Sequence, residues 1–460
     1  MMTTRETDLL VLGSGIAGQT AATAAAEAGL DVILAEKTAT LGGSTVMSGG
    51  WFAFSGTDEQ AAQGEQDSAE DFRRDLWEVG SHRSDPALLD AYIEHQDEAY
   101  RWLKDHGVQF REIEISSGQS AKRSHNSAII DVMAELHRQF EAAGGTTLRE
   151  HRAVKLLTDA DGAVTGARLQ SPDGEVDVIA RHGVVLATGG FSRGTELLGI
   201  FAPEQLAAIP FGGRGNTGDG LRMAWRLGAD MADMSAVSGT YGSHPDTGDV
   251  HELLTAYYMG AIVVNRAGKR FMDESQDYKT LGRAVLDEQD GLGVQIFDAT
   301  VRAKSHPGIP LKDMDMIEGL GHIHHADTLA ELAELVGVDA DALVATVERY
   351  NRVATDGVAD EVGRESLCNG VGELTPIVQA PFYAYPAKSL MTTTYAGVKT
   401  TPEAQVVNVD GEVIDGLYAI GEVVGGFHGA AYMTGSSLGK GAVFGLQVAR
   451  NTAGRAKASA

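Results

Sequence analysis

The sequence predicts an α/β protein built around a parallel sheet, and three consecutive segments carry that prediction. Residues 8–12 (DLLVL) form a short apolar run of strand length, and residues 31–35 (DVILA) form another. Between them, residues 19–29 (QTAATAAAEAG) have the composition of a helix that ends at a glycine. A strand, a helix and a second strand within about 30 residues are typical of a βαβ unit, in which the two strands pair in parallel.

The composition limits the possible partners. The chain has 460 residues, which is enough for about two or three domains. Its 37 basic and 64 acidic residues give a net charge of −27, and such a surface repels phosphate backbones and anionic lipid. The single cysteine, Cys368, excludes an internal disulfide and a cysteine-rich metal site. We therefore expect no nucleic-acid or membrane partner and, since no apolar run approaches about 18 residues, a cytoplasmic location.

The loop between the first strand and the helix predicts a phosphate site. It follows the pattern G-x-G-x-x-G and comprises Gly13, Ser14, Gly15, Ile16, Ala17 and Gly18. The first glycine of this pattern permits a tight turn, the second lets the backbone approach a pyrophosphate, and the third lets helix and strand pack closely. The helix N-terminus then offers N–H groups to the phosphates. Glu36, directly after the second strand, can accept hydrogen bonds from a ribose, so the pattern predicts a dinucleotide site.

The next segment favours FAD over a nicotinamide cofactor. A nicotinamide enzyme would continue into another βα unit, but residues 37–50 (KTATLGGSTVMSGG) are rich in glycine and hydroxyl side chains. Such residues suit a loop that lies against a pyrophosphate and a flavin ring. The predicted FAD contacts in this segment are Lys37, Gly42, Gly43, Ser44, Thr45, Ser48, Gly49 and Gly50.

Five later motifs follow in order along the chain: VLATGGF at 185–191, NTGDG at 216–220, VNRAGKRFMDE at 264–274, GLYAIGE at 416–422 and GSSLG at 435–439. With them the chain resembles the flavoprotein family of soluble fumarate reductases, succinate dehydrogenase flavoprotein subunits and 3-ketosteroid dehydrogenases over almost its whole length. The resemblance implies a Rossmann-like FAD-binding domain (parallel sheet with helices) formed by residues 1–235 and 356–460, with an inserted α+β capping domain at residues 236–355.

The resemblance also implies a second set of FAD contacts. They are Val154, Ala187, Thr188, Gly189, Gly190, Asn216, Thr217, Asp219, Gly421, Glu422, Ser436, Ser437 and Leu438. Glu422 would bind the ribityl chain, and residues 436–438 would begin a helix whose dipole stabilises the anionic reduced flavin. Independently of the resemblance, Thr217 and Asp219 read as the cap of a helix. Residues 42–50 lack the histidine by which respiratory members tether FAD, so we expect FAD to be bound non-covalently.

Tyr278 is the predicted proton-transfer residue. It occupies the position where soluble fumarate reductases have a proton-donating arginine, and their relay positions are Leu254 and Tyr257 here. A tyrosine at this place resembles the ketosteroid 1-dehydrogenases, in which it removes the proton beside a ketone. A phenol with a pKa of about 10 is a weak base, so an activating partner is expected, and Tyr257 is the candidate.

The substrate-holding residues are expected within residues 427–439. By resemblance to the ketosteroid enzymes, the N–H of Gly435 and a tyrosine would hold the ketone, although Tyr432 stands one residue away from the matching position. His428 matches a carboxylate-binding histidine of fumarate reductases, whereas Tyr432 replaces their arginine, so a bidentate carboxylate clamp is missing. His244, before Pro245, either matches another substrate-binding histidine or is an ordinary turn residue.

Two smaller segments complete the predictions. Residues 330–353 are expected to form two amphipathic helices broken near residues 337–339. Residues 321–325 (GHIHH) lack carboxylate or cysteine companions, so they are interpreted as a loop or strand end before a helix cap at residues 327–328, with no metal site.

The leading function is an FAD-dependent oxidoreductase acting on a CH–CH bond. It would catalyse α,β-dehydrogenation of a small ketone, cyclic or open-chain, or the reverse ene reduction, with an external electron acceptor or donor. One alternative is a fumarate- or urocanate-type reductase of an unsaturated carboxylate. The other is a non-catalytic flavin-binding electron-transfer protein.

Overall fold

The computed structural model describes residues 3–116, 118–249, 252–309, 311–368 and 370–459. The chain folds into two compact units. The first unit comprises Met1–Ala202, Gly212–Ser238 and Thr393–Ala460, and the second comprises Pro203–Phe211 and Gly239–Thr392.

The strands in chain order are β1 Thr3–Thr7, β2 Leu9–Leu12, β3 Val32–Ala35, β4 Trp51–Ala53, β5 Ile113–Glu114, β6 Ser124–Asn126, β7 Thr146–Leu148, β8 Arg152–Thr158, β9 Val164–Ser171, β10 Gly174–Ala180, β11 Val184–Leu186, β12 Ile209–Pro210, β13 Met231–Ala232, β14 Val237–Ser243, β15 Ile262–Val264, β16 Leu292–Asp298, β17 His324–Ala326, β18 Phe382–Thr394, β19 Gly397–Val398, β20 Gln405–Val407 and β21 Val413–Ala419. The α-helices are α1 Ile16–Glu27, α2 Asp58–Ala62, α3 Ala69–Val79, α4 Pro86–Asp105, α5 Ile129–Ala142, α6 Thr195–Phe201, α7 Asp219–Trp225, α8 Tyr278–Ala284, α9 Ala299–Arg302, α10 Met314–Gly319, α11 Leu329–Val336, α12 Ala340–Asp356 and α13 Ser436–Ser459.

The main sheet of the first unit has the strand order β20-β21-β11-β2-β3-β7. All its neighbours except β20 and β21 pair in parallel, and β2 pairs with β3 from Leu9–Val32 to Leu12–Ala35. Both strands are buried along their length, with α1 packed against them and α5 and α13 packed on α1, which explains why the strands read as continuous apolar runs. The predicted parallel βαβ unit is confirmed.

The second unit is built on a mostly antiparallel sheet of order β12-β18-β16-β15, with β14 and β17 also paired to β18. The predicted pair of helices is confirmed as α11 and α12. Gly337 ends α11 in the left-handed conformation with φ of 68°, and the Asp339 side chain caps α12 by accepting a hydrogen bond from the Ala342 N–H. Thr328 caps α11 in a capping box with Glu331, as the sequence indicates.

The bounds of the second unit differ from the predicted cap at 236–355. The unit extends to Thr392 because β18 pairs with β16 over seven residue pairs and forms the centre of its sheet. Residues 203–211 also join it, since β12 pairs with Leu390 and Met391 of β18. Among the described residues, no helix is long and apolar enough to cross a membrane.

Candidate FAD and substrate site

Gly13 and Gly18 of the loop at residues 13–18 leave no room for a side chain. Gly13 has φ of 107°, and a Cβ there would lie 2.2 Å from the Ala187 carbonyl oxygen at the end of β11. A Cβ on Gly18 would lie 1.9 Å from the Gly13 oxygen. Gly15 is the N-cap of α1 and provides no side-chain cap, so the N-terminal N–H groups of this helix are available to phosphate oxygens.

Glu36 lies at the carboxyl end of β3, buried beside this loop. Its carboxylate accepts hydrogen bonds from the Ser14 hydroxyl at 2.7 Å and from the Ser14 N–H at 3.2 Å. The Thr38 N–H donates to the other carboxylate oxygen at 2.9 Å. These donors fix the position of the carboxylate and keep one negative charge where a ribose is expected.

The glycine- and hydroxyl-rich segment folds back on the start of α1. The Thr45 hydroxyl accepts a hydrogen bond from the Ile16 N–H at 3.0 Å, and the Ser14 hydroxyl accepts one from the Gly42 N–H at 3.0 Å. Ser44 reaches further and accepts from the Asn216 side chain at 3.0 Å. The remaining predicted contacts of the segment, Gly43, Ser48, Gly49 and Gly50, continue the same loop towards β4.

Glu422 lies where β21 ends, next to the strand end that carries Ala187, Thr188, Gly189 and Gly190. Its two carboxylate oxygens accept from the Asn216 amide at 2.9 Å and from the Thr394 N–H at 3.0 Å. A Cβ on Gly190 would lie 2.6 Å from the Glu422 carboxylate, so close approach requires glycine there. Sequence reasoning missed Thr394, since a threonine in a strand carries no signal of this contact.

Asp219 does not cap a helix as predicted. The N-cap of α7 is Gly218, with no side-chain hydrogen bond. The Asp219 carboxylate instead pairs with Lys37 at 2.8 Å and with Arg152 at 2.7 Å. Burial alone would raise the pKa of Asp219, but the hydrogen bonds from Arg152 and Lys37 outweigh it and lower the pKa. The result is a fixed ion cluster of Lys37, Asp219 and Arg152. The sequence predicts Lys37 and Asp219 as FAD contacts but does not indicate Arg152.

A pocket of about 430 Å³ opens beside this ion cluster. Three predicted FAD contacts line it, namely Val154, Thr217 and Asp219. The Lys37 ammonium also donates to the Thr217 hydroxyl at 2.7 Å. The volume of the pocket is within the range of small-molecule sites.

The start of α13 brings together the other predicted residues of the first unit. Ser436 begins the helix, and its hydroxyl donates a hydrogen bond to the Met433 carbonyl at 2.7 Å. Leu438, two residues later, is buried. The Ser437 hydroxyl lies 3.3 Å from His428 Nε2. The Gly435 N–H donates to the Tyr432 hydroxyl at 3.0 Å, so the two predicted ketone ligands are adjacent despite the one-residue displacement in sequence.

Two residues near the start of α13 were missed. The Tyr395 ring lies 5.3 Å from the ring of His428 and 6.3 Å from that of Tyr432, so the three form an aromatic wall. Lys440 is buried on the second turn of α13, and burial lowers its pKa to about 8. The ring contacts of Tyr395 and the burial of Lys440 both depend on segments that are far apart in the chain.

In the second unit, Tyr278 is the first residue of α8, which Asp277 caps. Tyr278 packs against a core that contains Tyr241 and Tyr257, and the rings of Tyr241 and Tyr257 are 5.8 Å apart. We call Tyr241, Tyr257, Tyr258 and Tyr278 the tyrosine cluster. Burial, with a further contribution from the Asp277 carboxylate, raises the pKa of Tyr278 above its usual value.

Within the described ranges of the chain, the structure shows no hydrogen bond between Tyr257 and Tyr278, and the activating role of Tyr257 stays a prediction. Its side chain is fully buried, and its hydroxyl has no hydrogen-bond partner among the described residues. Burial raises the pKa of Tyr257 well above its usual value. Tyr257 therefore offers neither a charge nor a hydrogen bond that would lower the pKa of Tyr278.

A buried ion cluster holds the backbone on both sides of the tyrosine cluster. Arg364 donates to the Tyr257 carbonyl at 2.6 Å and to the Ala261 carbonyl at 2.9 Å. Glu274 accepts both arms of the Arg270 guanidinium, at 2.7 and 2.6 Å, and the Val263 N–H at 3.0 Å. The motif at 264–274 is therefore a structural clamp, and Arg364, which sequence reasoning missed, completes it.

His244 follows β14 in the second unit and is largely buried, with 11% of its side chain exposed. The Asp246 N–H donates to its Nδ1 at 3.2 Å, as in a turn. The segment 321–325 forms a loop that enters β17 at His324, as predicted. In the part of the chain that the structure describes, no group of three or more histidine, cysteine, aspartate or glutamate side chains is arranged to hold a metal.

The predicted catalytic residues are divided between the units. Tyr432, Gly435 and His428 belong to the first unit, and Tyr278, Tyr257 and His244 belong to the second.

The first unit fits a flavin dinucleotide. Its glycine loop leaves no room for a Cβ, the N-terminus of α1 lacks a side-chain cap, and the Thr188 hydroxyl is buried with no protein partner among the described residues. These features, with Glu36 and Glu422 at two strand ends, define a dinucleotide-binding protein of the flavoprotein class. We use the name FAD cradle for residues 13–18, Glu36, Ser44, Asn216 and Glu422.

Comparison with known proteins identifies the family. A model of the FAD binding domain family matches residues 8–438, so the chain belongs to that family. The NADH:fumarate oxidoreductase of Klebsiella pneumoniae (strain 342) is 30% identical over 462 residues, which cover 98% of this chain and 48% of the relative. The chain therefore spans about half the length of that relative.

Two solved structures are similar over nearly the whole chain. The open conformation of a flavocytochrome c3 fumarate reductase has a TM-score of 0.85 at 29% identity, covering 98% of this chain and 79% of that one. The 3-ketosteroid-Δ4-(5α)-dehydrogenase of Rhodococcus jostii RHA1, in complex with 4-androstene-3,17-dione, has a TM-score of 0.74 at 27% identity, covering 98% and 97%. The chain is thus a member of the FAD binding domain family and is similar to proteins named as reductases of fumarate and as a dehydrogenase of 3-ketosteroids.

Proposed function

We propose that the protein is an ene reductase that saturates the carbon–carbon double bond beside the carbonyl group of a small ketone, cyclic or open-chain. The observation that carries the proposal is the position of Tyr278, which begins α8 and packs against the apolar core that contains Tyr241 and Tyr257. Burial there, with the Asp277 carboxylate, raises the pKa of Tyr278 and favours the form that carries the phenolic proton, so we assign Tyr278 the role of proton donor. The same site would run the reverse dehydrogenation when the pH and the electron acceptor favour it.

The proposed chemistry balances one hydride and one proton. FAD, when bound in its reduced form, supplies the hydride for the β carbon of the substrate. Tyr278 donates its phenolic proton to the α carbon and recovers a proton from solvent. The product is the saturated ketone, and an external electron donor restores the two electrons. FAD is proposed to be bound non-covalently, and the cytoplasmic location stays a prediction.

Tyr432 is the proposed carbonyl ligand, and the Gly435 N–H, expected from the sequence to bind the ketone directly, orients the Tyr432 hydroxyl instead. A phenol oxygen can accept one hydrogen bond and donate another, so Tyr432, whose hydroxyl accepts from the Gly435 N–H, is proposed to donate its O–H to the ketone oxygen when the substrate is bound. A donor at this oxygen favours the enolate-like charge that develops as hydride reaches the β carbon. Tyr432 carries no positive charge, so it gives a carboxylate no bidentate ion pair.

Reduction of an unsaturated carboxylate is the second candidate. It is favoured by His428, whose Nε2 lies 3.3 Å from the Ser437 hydroxyl at the start of α13 and which can bind a carboxylate oxygen. The relative from Klebsiella pneumoniae is named for fumarate, which supports the same candidate.

Anaerobic stopped-flow spectroscopy separates the two candidates. Photoreduced holoenzyme is mixed with 2-cyclohexen-1-one, with crotonate or with fumarate, and reoxidation of the flavin is followed by its absorbance. We expect 2-cyclohexen-1-one to reoxidise the flavin at least about tenfold faster than either acid. Faster reoxidation by an acid would replace the proposal with the second candidate.

The mode of FAD attachment has its own test. Acid precipitation should release the yellow colour into the supernatant, because no covalent bond is expected. Colour that stays in the protein pellet would contradict non-covalent binding.

A further inference from the structure

The ring of His322 stacks on the ring of His244. Their centroids are 3.9 Å apart and the ring planes differ by 12°. His322 lies in the loop between α10 and β17, some eighty residues along the chain, and both histidines belong to the second unit. The histidine-rich segment at 321–325 therefore has a contact with a predicted substrate ligand.

The hydrogen bond to His244 selects one tautomer. The Asp246 N–H donates to Nδ1 at 3.2 Å, so Nδ1 is an acceptor and the proton of the neutral ring is on Nε2. Nε2 has no hydrogen-bond partner among the described residues. His244 can thus offer one N–H donor to a ligand.

The surroundings of His244 disfavour its charged form. Two further imidazoles face it, His322 in the stack and His324 at the start of β17, and the Tyr385 ring lies 6.0 Å away. The Asp246 carboxylate, 3.9 Å from Nδ1 and exposed, acts in the opposite direction. Burial, with the neighbouring His322, lowers the pKa of His244 to about 4. The His244 ring is therefore uncharged near pH 7.

We propose that His322 is a positioning residue that keeps His244 as a neutral Nε2–H donor, which makes this position select an uncharged carbonyl oxygen over a carboxylate. The inference rests on the proposed function and narrows its substrate class. An imidazolium would bind a carboxylate through a charge-assisted hydrogen bond, about twice as strong as a neutral one. A neutral imidazole gives no such advantage to an acid.

Two substitutions of His322 test the inference. In His322→Ala the stack is lost, and in His322→Phe a stacked ring remains but its face attracts a cation. Both remove the neighbouring imidazole and should raise the pKa of His244 towards its usual value of about 6.5, more in His322→Ala, which also exposes the ring, than in His322→Phe, which leaves it buried. The control is His325→Ala, which removes a neighbouring imidazole that is exposed and does not stack on His244. The pKa is measured by NMR titration of the histidine ring nitrogens in the oxidised holoenzyme.

The second readout is binding of crotonate to the oxidised holoenzyme, followed by the flavin absorbance at about pH 5.5. We expect both His322 variants to bind crotonate about five- to tenfold more tightly than wild type and His325→Ala, with binding of cyclohexanone changed less than about threefold. An unchanged pKa of His244 in both variants, or a raised pKa without tighter crotonate binding, would overturn the inference. Neither readout involves turnover, so failure of the proposed function is seen separately, as failure of wild type to reduce 2-cyclohexen-1-one.

Discussion

The FAD cradle of the first unit and the tyrosine cluster of the second unit are built in opposite ways. The cradle is made by backbone shape and short connections: Gly13 and Gly18 are required where strands and helix meet, and Glu36 is held by Ser14 and Thr38. The tyrosine cluster is made by side chains in an apolar core, and hydrogen bonds from distant segments hold its backbone, such as the one from Arg364 to the Tyr257 carbonyl. The shape of the FAD cradle thus depends on glycine positions at which a Cβ would clash with the backbone. The chemistry of the tyrosine cluster depends on how burial changes the pKa of its phenols.

The largest effect is expected from adding one carbon to the cradle. Gly13→Ala places a Cβ 2.2 Å from the Ala187 oxygen, and the loop must shift away from the phosphate position. We expect loss of bound FAD, measured as flavin absorbance per purified chain. The matched control is Gly162→Ala, which has the same kind of backbone, φ of 88°, but nothing within 4 Å. It should stay yellow and lose about 1 kcal/mol of unfolding free energy. A fully yellow Gly13→Ala would contradict the cradle geometry.

The next effect is specific to the cluster. Tyr278→Phe removes the proposed proton donor and leaves the ring in its core, so enone reduction should fall by about 10²–10⁴-fold while FAD stays bound. Steady-state rates and flavin content measure the two properties. Retained activity would remove Tyr278 from the mechanism.

A third effect concerns Lys440, whose folded pKa of about 8 lies below the usual 10.5. Between these values the unfolded chain binds more protons than the folded chain, so the free energy of unfolding should rise with pH by up to about 3 kcal/mol from this group. In Lys440→Met, this contribution to the rise of the unfolding free energy with pH should be absent. Urea unfolding of holoenzyme at about pH 8 and pH 10 provides the measurement, and equal slopes in both proteins would contradict the burial of the ammonium.

The smallest effect is predicted for Tyr257→Phe. The Tyr257 hydroxyl is buried without a hydrogen-bond partner among the described residues, so its removal costs no hydrogen bond. Activity should change by less than about threefold, and unfolding free energy should stay equal or rise slightly. A loss comparable with that of Tyr278→Phe would restore Tyr257 as a partner in proton transfer.

The same contrast explains what the sequence could predict. The βαβ unit, the glycine loop and the break between α11 and α12 depend on neighbours in the chain, and the sequence predicts them. It also predicts which tyrosines and histidines are of interest. It does not predict the position of Thr394 beside Glu422 or the end of the second unit at Thr392, because these depend on contacts between distant segments. It also misses Gly218 as the N-cap of α7, because Asp219 pairs with Lys37 and Arg152 instead of capping the helix.

The environment of each titratable group is even less accessible from sequence. Tyr278 was expected to be an activated base, and its surroundings raise its pKa instead. The stack of His322 on His244 and the burial of Lys440 likewise follow from contacts that no local pattern encodes.

The pH dependence of single-turnover enone reduction tests the central claim most directly. Photoreduced holoenzyme is mixed with saturating 2-cyclohexen-1-one between about pH 6 and pH 9, and the rate constant of flavin reoxidation is recorded. If Tyr278 is the proton donor with a raised pKa, the rate constant stays level over this range. It falls only at higher pH, where the Tyr278 phenol loses its proton. A rate constant that rises with pH through an apparent pKa below about 8 would show that a base is required, and would contradict the account.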